Sequence, residues 1–393
     1  MRVKFAKILT FTCYSFIIRL TVLLLEQQLA HLKNKNGTIL LNSRFTIMKQ
    51  DLLKFTEKGI YCRVADVYID PWKPVPRALI THGHADHSRY GNDVYLATDI
   101  AAPVIKYRLG DIKIETVKFG EVRTINGVKF SFHPAGHILG SAQIRVEYKG
   151  EVWVASGDYK LEDDGLAKPF EPIKCHTFIT ESTFGLPVYD WQPQEEIFAE
   201  INDWWRKNAA DGKTTFITGY SLGKAQRILR GLDTSIGKIY THGAVENINE
   251  VIRNQGVDLP ATTRIIRETD KKVFPGNLII APPSALNSTW MKRFKSVSIG
   301  VASGWMTLRG PRRRKAADRG FALSDHVDWK DLNKAIEMTE ASRVIVTHGY
   351  SRIFSKWLSE KGIEATIENT EFEGELAEMT ENSQDEKEDK KAA

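Results

Sequence analysis

Three imidazoles and a carboxylate fall within six residues in Thr81-His82-Gly83-His84-Ala85-Asp86-His87, directly after the apolar run Ala78-Leu79-Ile80. Neutral imidazole nitrogen and carboxylate oxygen are zinc ligands, and a tight glycine-containing loop behind a strand can splay alternate side chains toward two adjacent ions. A single histidine of this kind is more often a core residue with a satisfied partner; an H-x-H-x-D-H string behind a strand points to metal. Three more ligand types follow apolar, strand-like runs: His137 in Ala135-Gly136-His137, Asp158 in Ser156-Gly157-Asp158, and His348 in Val346-Thr347-His348-Gly349. Together His82, His84, Asp86, His87, His137, Asp158 and His348 suit two ions, each with three or four protein ligands and a position open to water. Such a pair generates a nucleophile from water near neutral pH and can hold a scissile oxygen, chemistry that suits phosphodiester hydrolysis best.

The elements that must position these residues are legible as periodicity. From Ile60 to Asp158 the signals are mostly strands (60–69, 78–80, 94–97, 112–117, 128–133, 142–148, 152–155), with a helix over 100–109 and glycine turns such as Asn126-Gly127 and Lys149-Gly150. A further buried strand is expected over 173–180. After Pro187 the texture becomes alternating strand and helix: helices over 195–207, 224–232 and 244–254, strands over 214–218, 278–281 and 297–301. That run is long enough for an inserted α/β domain. A helix over 329–338, a strand over 343–347 and a helix over 351–361 close the folded part. No internal repeat of fixed period is present.

Composition bounds the class. The 393 residues are 42% apolar and 26% charged, which is ordinary for a globular protein of two domains or one elaborated domain. Cys13, Cys62 and Cys175 are too few and too scattered for a disulfide framework, so a reducing, cytoplasmic setting is expected and any metal must rely on His and Asp. Residues 371–393 carry nine acids against three lysines and read as an acidic, disordered tail; residues 1–49 carry eight Lys/Arg against one Glu. Residues 1–47 form an extension with an apolar run from Ile8 to Leu25, interrupted by Arg19 and followed by no small-residue cleavage site. The texture changes at Met48, so the extension is expected to reflect a translation start placed too early. Native protein should then yield an N-terminal sequence beginning at Met48.

The motifs resemble a known family. THGHADH, the isolated AGH with His137, SGD with Asp158 and IDP with Asp70 look like the ordered motifs of the metallo-β-lactamase superfamily. TESTFG with Glu181, SDH with His326 and VTHG with His348 resemble the extra motifs of its nucleic-acid-processing β-CASP branch. GIYC, IDPWKPV, SLGKAQRI and the run from GWM to HVDW look most like the bacterial DNA ligase-associated exonucleases, relatives of the Artemis-type nucleases. The resemblance covers roughly residues 48–368.

It implies an αββα sandwich divided as 48–186 and 315–370, with a β-CASP-like insert over 187–314. It implies two Zn2+ (Mn2+ as an alternative), the first held by His82, His84 and His137, the second by Asp86, His87 and His348, with Asp158 bridging. Asp70 would orient the histidine loop, and His326 beside Glu181 would be the general acid. Lys224, at a turn opening a helix, and Arg309, Arg312, Arg313, Arg314, Lys315 and Arg319 are expected to grip phosphates. The implied activity is a DNA exonuclease that trims ends in repair, associated with a DNA ligase and helicase. RNA-processing members carry a histidine where DNA-acting ones are apolar, and this chain has His348, so an RNA-processing nuclease is the alternative. A non-catalytic nucleic-acid-binding subunit or a small-molecule hydrolase fits less well, because every ligand position is filled and the GWM run is basic.

Overall fold

The computed structural model describes residues 51–308 and 317–372. The 1–47 extension, the residues Arg309, Arg312, Arg313, Arg314 and Lys315, and all of the acidic tail beyond Phe372 lie outside the described residues. No described helix is long and apolar enough to cross a membrane.

Six strands form the first sheet in chain order: β1 (Lys54–Thr56), β2 (Gly59–Cys62), β3 (Val67–Ile69), β4 (Arg77–Leu79), β5 (Val94–Thr98) and β6 (Ile114–Val117), with helix α1 (Ala102–Leu109) between the last two. The single strand expected over 60–69 is a hairpin, since β2 pairs antiparallel with β3. Asp66 turns the chain at φ +55, a backbone state that Asp tolerates better than most residues. The next strands, β7 (Val122–Ile125), β8 (Val128–Pro134), β9 (Ala142–Tyr148), β10 (Glu151–Ala155) and β11 (Thr177–Ser182), begin a second sheet.

The chain then builds a third sheet. Helix α2 (Gln194–Ala210) precedes β12 (Thr214–Thr218). Helix α3 (Lys224–Gly231), β13 (Ile239–Thr241), helix α4 (Gly243–Arg253), β14 (Thr263–Arg264), β15 (Leu278–Ala281), β16 (Val297–Ala302) and β17 (Arg319–Phe321) follow. All its pairs are parallel, in the order β14-β13-β15-β12-β16-β17. Helix α5 (Trp329–Thr339), β18 (Arg343–Gly349), helix α6 (Ser351–Glu360) and β19 (Glu364–Ile367) return to the second sheet, whose order is β19-β18-β11-β10-β9-β8-β7.

The period of two along each strand decides which core a side chain joins. Trp153, Ala155, Ile179 and Ile345 of the second sheet enter one buried cluster with Ile60, Ile69 and Leu79 of the first. Their neighbours Val154, Phe178, Val344 and Val346 enter another with Leu332 and Ile336 of α5 and Phe354 and Leu358 of α6. On the first sheet Ala78, Tyr95 and Ala97 pack against Ala101 and Ile105 at α1. Each large apolar side chain so buried contributes about 1.5–3 kcal/mol, which is what holds the short strands together. Cys62 and Cys175 are buried free thiols, and burial pushes the Cys175 thiol up to about 12.

Gly349 shows how tightly the second sheet closes beside His348. It lies opposite Ser182 with φ +89, and a Cβ there would sit 2.2 Å from the Ser182 carbonyl oxygen. Gly362 has φ +86 and open space around it. Gly362→Ala is expected to cost about 1 kcal/mol for the left-handed backbone alone, and Gly349→Ala about 3 kcal/mol or more because β11 must also shift. Thermal melts of the two variants check this, and equal shifts would show that the overlap is relieved without penalty.

Candidate metal centre

Both sheets deliver their polar residues from strand ends. Just after β3, Asp70 is buried and stands at φ +42. Its carboxylate accepts from the Thr81 amide (2.8 Å), the Thr81 hydroxyl (2.5 Å) and His87 Nδ1 (2.8 Å). After β4 the chain enters the histidine loop, which Arg108 of α1 clamps by donating to the Gly83 carbonyl (2.6 Å) and the Ser88 hydroxyl (2.8 Å). Asp158 follows β10, Glu181 lies in β11, and His348 lies in β18.

The hydrogen bonds assign a tautomer to each imidazole, because a hydroxyl that donates elsewhere must accept from the ring. Thr81 donates to Asp70, so His82 Nδ1 donates to Thr81 (3.0 Å) and His82 Nε2 carries the lone pair. Thr347 donates to the Thr180 carbonyl, so His348 Nδ1 donates to Thr347 (3.2 Å) and again Nε2 is the acceptor. His87 donates through Nδ1 to Asp70, His84 through Nε2 to the Leu222 carbonyl (3.2 Å), and His137 through Nδ1 to the Asp325 carbonyl (2.9 Å). In their neutral forms the five rings therefore turn five lone pairs inward; burial would lower His87, but Asp158 and Asp86 raise it well above its ordinary value, so that this ring sheds a proton when it takes up a cation. His84 Nδ1 and His137 Nε2 stand 3.1 Å apart, a contact between two acceptors that a cation relieves.

Asp158 is the common neighbour. Its carboxylate oxygens lie 3.2 Å from His348 Nε2, 3.4 Å from His87 Nε2, 3.5 Å from His82 Nε2 and 3.9 Å from His137 Nε2. Asp86 approaches His87 Nε2 at 3.7 Å. The buried Nε2 atoms of His82, His87 and His348 and Oδ1 of Asp158 have no hydrogen-bond partner. Donor atoms of His82, His84, His137 and Asp158 all lie within 4.8 Å of one another, a spacing that fits one divalent ion. Burial keeps His82, His84 and His137 neutral at lower pH than usual, which is the form that ligates. Burial would raise the Asp158 carboxyl, yet His87 and His326 hold it well below the usual range. The residues present therefore fit a metal.

A second group adjoins the first. His326 Nδ1 lies 2.9 Å from Glu181 Oε2, and Glu181 is fixed by the Tyr159 amide (2.9 Å) and the Thr183 hydroxyl (2.5 Å). The His326 ring lies 4.7 Å from that of His137, and donor atoms of Asp158, Glu181 and His326 also fall within 4.8 Å of one another.

The expected phosphate contacts are placed differently. Lys224 is fully buried, with its ammonium 3.6 Å from Asp325 and over the Tyr220 ring at 4.5 Å, so its charge serves an internal carboxylate rather than a phosphate. Burial would raise the Asp325 carboxyl, but Lys224 and Arg227 hold it below its ordinary value. Arg319 is half exposed in β17 and reaches Glu200 at 3.9 Å. Sequence reasoning missed Asp325 and Arg227. The latter donates to the Ser324 carbonyl, to Gln194 and to Glu162 (2.8 Å), and so braces the loop that carries His326.

The chain is 31% identical over 317 residues to a probable DNA ligase of Opitutus terrae, covering 80% of this chain and 30% of that protein. It is 30% identical over 165 residues to cleavage and polyadenylation specificity factor 73 of Drosophila melanogaster, covering 40% of this chain and 24% of that protein. The match to endoribonuclease YSH1 of Candida glabrata is 23% identical over 323 residues, 65% of this chain and 41% of that protein. The chain is a β-CASP metallo-β-lactamase relative. This β-CASP relative spans less than half the length of these curated proteins. No family model matches it. Its fold matches that of a protein of unknown function from Enterococcus faecalis V583 with a TM-score of 0.53 at 11% identity, covering 76% of this chain and 80% of that one.

Asp70 carries three donors, and an amide in its place offers one acceptor oxygen and turns its NH2 toward the others. Asp70→Asn is expected to weaken zinc binding by about 10–100-fold, because the tautomers of His82 and His87 lose their anchor. Zinc titration of the purified variant measures this.

Proposed function

We propose that the chain is a two-metal phosphodiesterase that cuts DNA, an exonuclease trimming ends beside a DNA ligase. The observation that carries the reading is the convergence of four imidazoles on Asp158, with His84 against His137 and the His326–Glu181 pair alongside. His82, His84 and His137 would hold one divalent ion and Asp86, His87 and His348 the other, with Asp158 shared and zinc the metal best suited to the donor set. Bound there, the ions supply Lewis acidity, which acidifies water and neutralises charge on a phosphodiester. Asp158 orients the attacking water in line. His326, held by Glu181, protonates the departing 3′ oxygen, and the product end carries a 5′ phosphate that a ligase can use.

Cores drawing on both sheets, with α1 on one outer face and α5 and α6 on the other, support reading the fold as an αββα sandwich. The third sheet supports an insert from 187 that runs past 314 to Phe321, because β17 pairs with β16. Arg319 and the basic 309–315 stretch remain the phosphate-gripping candidates, and a helicase is a further partner class. The name of the Opitutus relative favours DNA and a ligase partner. His348 at the last ligand position and the endoribonuclease relatives favour the second reading, RNA.

Side-by-side turnover of matched end-labelled DNA and RNA single strands decides between them; clear RNA preference overturns the DNA assignment. Asp158→Ala is expected to lower cleavage by about a thousandfold or more and His326→Ala by about 10²–10⁴-fold. Cleavage left intact in Asp158→Ala would sink the two-metal mechanism.

A further inference from the structure

The chain does not leave the fold after β19. Arg89, just beyond the histidine loop, donates to the Glu371 carbonyl (2.7 Å) and to its carboxylate (3.1 Å). That clamp delivers Phe372, which composition placed at the start of the acidic tail and which lies beyond the family resemblance. Phe372 is buried and joins the core cluster shared by the first two sheets. Its ring stacks on His87 with centroids 4.2 Å apart and planes 15° from parallel, and it meets His348 edgewise at 5.7 Å and Trp72 at 5.6 Å.

An imidazole held by one hydrogen bond can still swing about that bond. His87 has such a bond to Asp70, and a flat apolar wall against one ring face removes the remaining freedom, so Nε2 stays aimed at Asp158. The two imidazoles that Phe372 touches both belong to the proposed second ion's set, and none of the first ion's ligands stacks on it. The first set gathers its donors within 4.8 Å; among the described residues, Asp86, His87 and His348 form no group that compact. The second set thus has more need of an external brace.

We propose that Glu371 and Phe372 form a strap that is part of the second divalent-cation site, with Phe372 a positioning residue for His87 and His348. This rests on the two-ion reading above. By linkage, the factor by which the docked strap strengthens cation binding is the factor by which the cation holds the strap down.

The test uses the full chain, zinc as the probe and a chromogenic chelator as competitor. Wild type should show two classes of zinc. Phe372→Leu fills the core but offers no ring face, and its weaker class is expected to bind about tenfold less tightly while the tighter class is unchanged. Phe372→Trp should restore most of the loss, and Glu371→Ala, on an exposed side chain, should give a smaller loss even if Phe372→Leu folds poorly. Hydrogen exchange at 369–372 should slow on adding zinc in wild type and not in Phe372→Leu. Two classes with the same affinities in wild type, Phe372→Leu and Glu371→Ala overturn the strap, as does a loss that Trp fails to restore. A wild type that takes up only one zinc overturns the two-ion reading itself.

Discussion

Five imidazoles and one carboxylate turn their donor atoms toward each other at a buried site, and the rest of the molecule is arranged to keep them there. Left alone, His82, His87, His348 and Asp158 each bury a polar atom without a hydrogen-bond partner. Each such atom costs about 1–3 kcal/mol, so the group destabilises the fold unless something of opposite charge completes it. The surrounding hydrogen bonds make the situation stricter. Asp70, Thr81, Thr347 and the Leu222 and Asp325 carbonyls each take the second nitrogen of a ring, which fixes where the other nitrogen of each ring points.

Strand ends explain why chemistry this crowded is possible. Parallel strands bring their carboxyl ends to one edge, where loops are free of the ladder and can carry polar groups. In the first sheet β3 and β4 are parallel and end at Asp70 and Thr81. In the second, β10, β11 and β18 are parallel neighbours that end near Asp158, Glu181 and His348. The antiparallel remainder of the second sheet contributes only His137, on the loop between β8 and β9. Apart from His137, the candidate metal ligands thus come from the parallel part of the first two sheets, and the alternation of apolar residues behind them anchors those ends.

Much of this was legible in the sequence, and the failures share a cause. The histidine loop stood out because its residue types are rare together and close in the chain, and the helices around 195–207, 329–338 and 351–361 were found within a few residues because their apolar period is local. Lys224 was misread because its partner Asp325 is a hundred residues away, and a lysine opening a helix looks the same whether it faces solvent or an internal acid. The hairpin at Asp66 was hidden inside an apolar run that lacked a glycine. Phe372 vanished into an acidic composition, since one aromatic residue beside many acids carries no period at all.

The third sheet then reads as more than a cover. Its β12 and β17 strands end in the loops that supply the Leu222 and Asp325 carbonyls, so two imidazoles of the first set take their tautomers from this segment rather than from the sheets that carry them. The Asp325 carboxylate is in turn held between Lys224 and Arg227 of α3. A rigid shift of the third sheet would withdraw both carbonyls at once and free His84 and His137 to change tautomer. The Leu222 and Asp325 carbonyls thus make the third sheet part of what fixes the ring orientations at the candidate metal centre.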